Sequence, residues 1–269
     1  MDFSAQLNSI VMQTVQVSPI MKIIKVKPDG WQFPAFVAGQ FVGLGLPAEA
    51  SRCKEATPEH SEPSADKLIK RAYSIASSST DDMIEFYVTL VHSGQLTPRI
   101  FDLKIGDRIW MGPKAVGMFI LDQIDEGKNV VMVATGTGIA PYMSMLRTNA
   151  IKRQGNIMVI HGAANSWDLG YASELKLLAS IFPNFSYYPT ITEPAKEPAG
   201  WTGDTRFIQE IWEDGLAKKV WGKKPTPNDT HFFLCGNPRM IDTMKELLAK
   251  DGFTEHNRKV FGQVHAEEF

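Results

Sequence analysis

Cysteine is scarce in this sequence. There are two in 269 residues, Cys53 and Cys235, and no CxxC pair. That excludes a four-cysteine iron–sulfur or structural zinc site within the chain. Two cysteines cannot build a disulfide framework either, so a reducing compartment, the cytoplasm, is expected. An excess of charge of one sign is also missing. Lys+Arg number 28 and Asp+Glu 30, for a net charge of −2, which argues against a nucleic-acid binder by bulk charge. The longest uncharged stretch, residues 129–146, is interrupted by Thr135, Gly136, Thr137, Gly138 and Pro141. It reads as strand, turn and helix, so no membrane insertion is expected. The first residues have neither the basic start nor the apolar core of a signal peptide. The six histidines (His60, His92, His161, His231, His256 and His265) show no HExxH or other metal spacing, so no metal site is expected. Neither a GxSxG elbow nor a P-loop lysine motif is present, so serine-hydrolase and P-loop NTPase chemistry are not indicated.

What is present divides in two. The length allows one large or two modest domains. Up to about residue 121 the chain reads as β-structure. Residues 8–17 and 21–26 are rich in Val, Ile and Met, residues 33–46 centre on Gly39-Gln40-Phe41, and residues 84–91 alternate Ile84, Phe86 and Val88 with Glu85, Tyr87 and Thr89. Strand-like runs spaced by Gly, Pro and Asp turns predict an antiparallel barrel or sandwich. Residues 48–66, rich in Pro, Glu and Ser, predict an exposed loop. Lys22, Lys25 and Lys27 read as a solvated strand face or part of a docking patch for an acidic protein.

Beyond residue 124 the pattern changes. A continuous apolar run at 130–134, a buried strand at 156–161 and strand-like segments at 185–191 and 231–235 alternate with helical segments at 141–150, 172–181, 205–214 and 238–250. That predicts a parallel sheet covered on both sides.

Chemistry is expected at the strand ends. Thr135-Gly136-Thr137-Gly138-Ile139-Ala140-Pro141 follows a buried strand and opens a helix, where glycines let backbone approach a pyrophosphate. It lacks a third Gly, and no acidic residue ends the next strand, so it is not the standard NAD fingerprint. Arg71-Ala72-Tyr73-Ser74 starts a strand; Arg71 could fork onto a diphosphate, and Tyr73, on the same face, could cover a planar ring. His92-Ser93-Gly94-Gln95-Leu96-Thr97-Pro98 is a Gly turn before a helix that Thr97 could cap. Leu234-Cys235-Gly236-Asn237-Pro238 ends another buried strand, its thiol expected to face the crevice. Each has a plain structural account as well: a turn, a surface Arg beside a core Tyr, a capped helix, a small buried Cys. The last residues, 262–269, read by themselves as a frayed end.

In this order and spacing, these segments, with Glu85-Phe86-Tyr87 and Leu103-Lys104-Ile105-Gly106-Asp107, resemble the plant-type ferredoxin–NADP reductase family, its bacterial ferredoxin/flavodoxin reductase group in particular. The resemblance covers nearly the whole chain. It implies β + α/β architecture: an antiparallel FAD-binding β-barrel over residues 1–123, then a parallel-sheet α/β nicotinamide-dinucleotide domain over 124–269. It implies an FAD-dependent enzyme that moves a hydride between NADP(H) and flavin N5 and exchanges single electrons with ferredoxin or flavodoxin, as a monomer. By this resemblance Arg71 and Ala72 hold the FAD pyrophosphate side, Tyr73 stacks on the isoalloxazine and Ser74 lies near N5. Val88, Thr89 and Leu90 line the flavin, Gln95, Leu96 and Thr97 hold its phosphates, and Thr137 sits where flavin and nicotinamide meet. Phe269 covers the flavin and yields to nicotinamide. Ser74, Cys235, Glu267 and Phe269 form the catalytic set.

On the same basis Thr135, Gly136, Gly138, Ala163, Ala164, Thr192, Glu193, Arg206, Gly236, Asn237, Pro238 and Met240 border NADP. The 2′-phosphate positions depart from the family pattern. Thr192-Glu193 and Ala164-Asn165 stand where relatives carry arginines, and Arg206 or Lys196 is left to compensate. NADP(H) is expected first, with NADH as the alternative. The rival activities are reduction of free flavin or ferric chelates, and a non-catalytic flavin-binding electron-transfer subunit.

Overall fold

The computed structural model describes residues 3–268; the assignment made for Phe269 lies outside the described residues. The chain forms two compact units, residues 1–120 with 143–148, and residues 121–142 with 149–269.

The first unit carries strands β1 (Ser9–Ser18), β2 (Met21–Pro28), β3 (Phe41–Leu46), β4 (Ile69–Ser74) and β5 (Ile84–Thr89), a short helix α1 (Thr97–Asp102) and β6 (Arg108–Met111). All pairings are antiparallel, in the order β4-β3-β6-β1-β2-β5. The two edges meet through an Ile75↔Phe86 bridge and the Ala76 N–H to Glu85 carbonyl bond of 2.8 Å. The sheet thereby closes into a barrel, which removes exposed edges. Val11, Ile24, Val26, Leu44, Phe86, Ile100, Ile109 and Met111 fill it.

Three sequence expectations fail here for stated reasons. Residues 33–40 are not strand; pairing begins only at Phe41. The alternation across residues 84–89 does not expose one face, because Glu85 and Tyr87 are buried with Ile84, Phe86 and Val88. Glu85 is tolerated there because its carboxylate is paired twice, with Arg147 at 2.7 Å and Lys25 at 3.2 Å. A buried charge needs such partners. The lysine run is only in part a solvated face, since Lys27 is exposed and Lys25 half-buried. Lys22 is buried, donates to the Phe101 carbonyl and lies 5.2 Å over its ring.

The second unit alternates strand and helix: β7 (Asn129–Thr135), α2 (Ala140–Thr148, whose last six residues cluster with the first unit), β8 (Ile157–Ala163), α3 (Ala172–Ile181), β9 (Phe185–Ile191), α4 (Ile208–Glu213), α5 (Leu216–Trp221), β10 (Thr230–Gly236), α6 (Pro238–Lys250) and β11 (Val264–Glu268). Every strand pairing is parallel, in the order β11-β10-β7-β8-β9. Residues 130–134 and 157–160 are fully buried, which is why they read as unbroken apolar runs. The helix expected at 205–214 is shorter. Phe207 stands at its N-cap, where its backbone N–H donates to Glu210 Oε2 at 2.8 Å, and α5 follows separately. The C-terminal segment is not frayed: β11 pairs in register with β10 from Phe232↔Val264 to Gly236↔Glu268. Among the described residues no helix is long and apolar enough to cross a membrane.

Candidate functional site

In the first unit the candidate residues come from β4, β5 and the turn before α1. Pairing in β4 is unbroken, with Arg71 opposite Leu44 and Tyr73 opposite Val42, so the two side chains do share a face. Arg71 is exposed, its Nη2 donating to Gln95 Oε1 at 3.3 Å. Tyr73 packs edge-on to Phe86 with ring centroids 6.5 Å apart, and burial raises its hydroxyl pKa. Ala72 is exposed. Ser74 is buried, and its Oγ has no hydrogen-bond partner among the described residues. Val88 and Leu90 are buried, and Thr89 is half-buried opposite Met21.

Thr97 does not cap α1. It is the first helical residue, and its Oγ1 accepts the Val91 N–H at 2.9 Å, bracing the Gly94 turn instead. Leu96 takes the cap position. Gln95 reaches from Arg71 to Ser61, its Nε2 donating to the Ser61 carbonyl at 3.1 Å. The loop predicted as exposed thus lies against this turn, and His60 bonds Ser93 at 2.9 Å.

In the second unit the candidate residues gather at the carboxyl ends of β7 and β10. Strands β8 and β9 extend the sheet to one side of β7, and β10 and β11 extend it to the other. Such a reversal of strand order opens a crevice. Gly136 to Ile139 form a 3-10 turn that runs into α2. Both glycine sites are sterically required. A Cβ at Gly138 would stand 2.2 Å from the Cys235 carbonyl oxygen, and one at Gly236, where φ is +127°, 2.3 Å from Thr135 Oγ1. Thr135 Oγ1 also accepts the Asn237 N–H at 2.7 Å. Asn237 then caps α6 through the Arg239 N–H, with Pro238 in the first turn and Met240 buried beneath.

Cys235 is fully buried rather than facing the crevice. Burial and the neighbouring Glu267 push its thiol well above the usual range, so it is not a thiolate nucleophile. Glu267 stands opposite Cys235 in the β10–β11 register. Burial lifts its carboxyl from 4.5 to about 7, and its Oε2 has no hydrogen-bond partner among the described residues. A carboxyl in this state holds or gives up a proton near neutrality.

The segments after β8 and β9 lie side by side. The Thr192 N–H bonds the Ala163 carbonyl at 3.1 Å, and the Glu193 N–H bonds the Ala164 carbonyl at 2.9 Å. Arg206 joins them because Thr190 Oγ1 donates to its carbonyl at 2.6 Å.

Three comparisons bear on this arrangement. An oxidoreductase NAD-binding domain model matches residues 132–246. The flavodoxin/ferredoxin–NADP reductase of Buchnera aphidicola (subspecies Baizongia pistaciae) is 32% identical over 237 residues, 87% of this chain and 88% of that protein. This chain belongs to the flavodoxin/ferredoxin–NADP reductase family. The Escherichia coli member is 30% identical, covering 77% of this chain and 76% of its own length. A crystal structure of a ferredoxin NADP+ reductase from Neisseria gonorrhoeae with bound FAD and NADP superimposes with a TM-score of 0.81 at 25% identity, over 97% of both chains.

Two residues of this family member escaped the sequence reading. His161 is fully buried on β8, its Nε2 donating to the Gly136 carbonyl at 3.1 Å while the Tyr187 hydroxyl lies 3.4 Å from Nδ1. Burial lowers its pKa to about 4, so it is a neutral brace for the glycine turn. Its place at the end of an apolar run was the available signal. Tyr171, at the N-cap of α3, is the non-glycine residue with left-handed backbone (φ 64°) among those described. Backbone strain of this kind marks a position worth testing, and nothing in the local sequence announces it.

Proposed function

We propose that this chain is an FAD-dependent ferredoxin/flavodoxin–NADP(H) reductase, with the first unit holding FAD and the second the nicotinamide dinucleotide. The residues present fit those groups. Ser74 Oγ and Glu267 Oε2 are buried polar atoms without partners among the described residues, and a buried polar atom is normally satisfied. Gly138 and Gly236 let the turn after β7 close against the end of β10, where a Cβ at either would stand 2.2–2.3 Å from protein atoms. When bound, FAD supplies the redox chemistry, taking two electrons with a hydride and passing them on singly.

Each residue then has a role. Arg71 offers a guanidinium to the FAD diphosphate. Tyr73, held by Phe86, offers a ring face to the isoalloxazine. Val88, Thr89 and Leu90 supply the neighbouring wall, and the turn at Gln95, Leu96 and Thr97 supplies N–H groups that have no intrahelical acceptor. Ser74 donates or accepts one hydrogen bond beside the reacting ring. On the nucleotide side, Thr135, Gly136, Thr137 and Gly138 with Gly236, Asn237, Pro238 and Met240 shape the crevice. Cys235 backs the crevice as a buried neutral thiol, and Glu267 positions the nicotinamide and holds a proton. Phe269 is proposed as the flavin's cover. Ferredoxin or flavodoxin is the partner, and the protein works as a cytoplasmic monomer, a placement supported by two unpaired buried cysteines.

Within the family frame, the observation that carries the reading is Glu267: a half-buried carboxyl whose buried Oε2 has no hydrogen-bond partner among the described residues, raised to about 7 opposite Cys235. The test is the visible spectrum of the purified protein, followed by timed flavin reduction with NADPH and with NADH and electron delivery to ferredoxin. A protein that stays colourless after flavin is supplied refutes the proposal.

A further inference from the structure

The rim formed by the ends of β8 and β9 carries an unusual balance of charge for a site that would grip a phosphate. Arg206 is the cation best placed to do so, and its guanidinium is already engaged. Asp204 takes the Nε/Nη2 edge in a two-point contact of 3.0 and 2.6 Å, and Asp214 takes Nη1 at 3.0 Å. Asp204 and Asp214 raise the Arg206 pKa, Arg206 lowers that of Asp204, and Lys219 and then Arg206 lower that of Asp214, as tight pairs do. Lys196 is bonded to Glu193 at 2.6 Å, and Lys219 to Asp214 at 2.6 Å. A further carboxylate, Glu197, clamps Ser166 through its N–H at 2.7 Å and its hydroxyl at 2.6 Å. Glu193, Asp204 and Asp214 thus pair with Lys196, Arg206 and Lys219, and each of those cations is committed.

One neutral group adds to this. Asn165 directs its amide nitrogen towards Asp168 Oδ2 at 3.4 Å, which leaves Oδ1 as a buried acceptor with no hydrogen-bond partner among the described residues. An acceptor suits the proton of a ribose hydroxyl and repels phosphate oxygens.

In parallel α/β sheets a dinucleotide lies across the carboxyl ends of the strands. There an acidic residue meets the ribose 2′-hydroxyl of NAD, whereas an arginine accommodates the 2′-phosphate of NADP. A 2′-phosphate, carrying about −1.5 to −2 charges, would meet an Arg206 whose Nε and both Nη atoms already donate to Asp204 and Asp214, and would do so among like charges.

We propose that this reductase accepts NADH to within about tenfold of NADPH, because the rim beside Glu193, Asp204 and Asn165 suits a free 2′-hydroxyl and holds its cations in carboxylate pairs. This rests on reading the chain as a nicotinamide-dependent reductase and concerns its choice of dinucleotide.

The test is binding of 2′-phospho-AMP and 5′-AMP, and of NADP+ and NAD+, to the FAD-loaded protein by calorimetry, with timed flavin reduction by each reduced dinucleotide. The expected result is that the phosphorylated member of each pair binds no more than about tenfold more tightly, a difference of about 1.4 kcal/mol. Tighter preference for the 2′-phosphate than that overturns the proposal. The double variant Asp204→Asn, Asp214→Asn releases Arg206, and the ratio of 2′-phospho-AMP to 5′-AMP affinity should rise about tenfold. Glu193→Gln, which alters one exposed side chain, should move the ratio in the same direction. If neither variant shifts the ratio in folded protein, the carboxylates are not what sets it and the proposal fails. If no dinucleotide binds or reduces the flavin, the reductase reading itself has failed, a result distinct from a strong NADPH preference.

Discussion

Replacing Glu267 by Gln should separate its chemistry from its contribution to stability. The folded protein raises this carboxyl from 4.5 to about 7, because burial penalises the charged form. A raised acid pKa means that the unfolded chain ionises first. Stability is therefore full below pH 4.5 and is lost as pH rises through about 7. At about 1.4 kcal/mol per unit the shift caps the loss near 3 kcal/mol. Glu267 keeps partial contact with solvent, which screens the penalty and brings the expected loss to about 1–2 kcal/mol. Gln carries no such ionisation at nearly the same volume. Urea unfolding of the FAD-loaded wild type should give a midpoint that falls between pH 5 and pH 8, and Glu267→Gln should remove about 1–2 kcal/mol of that fall. Single-turnover flavin reduction should carry an inflection near pH 7 in the wild type only, and hydride transfer in the variant should slow more than FAD binding weakens. An unchanged pH slope of stability and an unchanged rate inflection in the variant would show that Glu267 is neither buried as described nor engaged in the reaction.

His231 and His265, held down to about 4 and 3 by burial, act with the opposite sign. Their stabilisation is whole above about pH 6.5 and is lost as pH falls towards 3–4, so thermal melts should give a falling Tm on acidification, and a flat profile would contradict their burial. Gly138→Ala places a Cβ against the Cys235 carbonyl and should cost about 1–3 kcal/mol, with loss of dinucleotide binding; wild-type stability and affinity would show that the turn is not close-packed. Ser74→Ala removes a hydroxyl without a hydrogen-bond partner among the described residues, so denaturant stability of the apoprotein should hold or rise slightly, while single-turnover hydride transfer slows; equal rates would remove Ser74 from the reaction.

Much of the architecture was legible because burial writes itself into composition. The central strands β7, β8 and β10 of the parallel sheet read as strands because both their faces are covered, and α3, α6 and β9 occupy the spans read for them. In the barrel the reading weakened where a polar residue is buried with a partner distant in sequence. Glu85 owes its place to Lys25 and Arg147, and Lys22 to Phe101. Alternation alone exposes such residues.

The glycine turns, the Arg71–Tyr73 face and the two-part layout follow from local pattern. Local steric rules and periodicity act within a few residues, and a sequence displays them directly. Tertiary structure alone decided that Thr97 braces Val91 instead of capping a helix, that Cys235 is buried beside Glu267, and that Asp204 and Asp214 close around Arg206. Those outcomes depend on desolvation and on which charges fold to within a few ångströms of one another, and no window of sequence contains that distance.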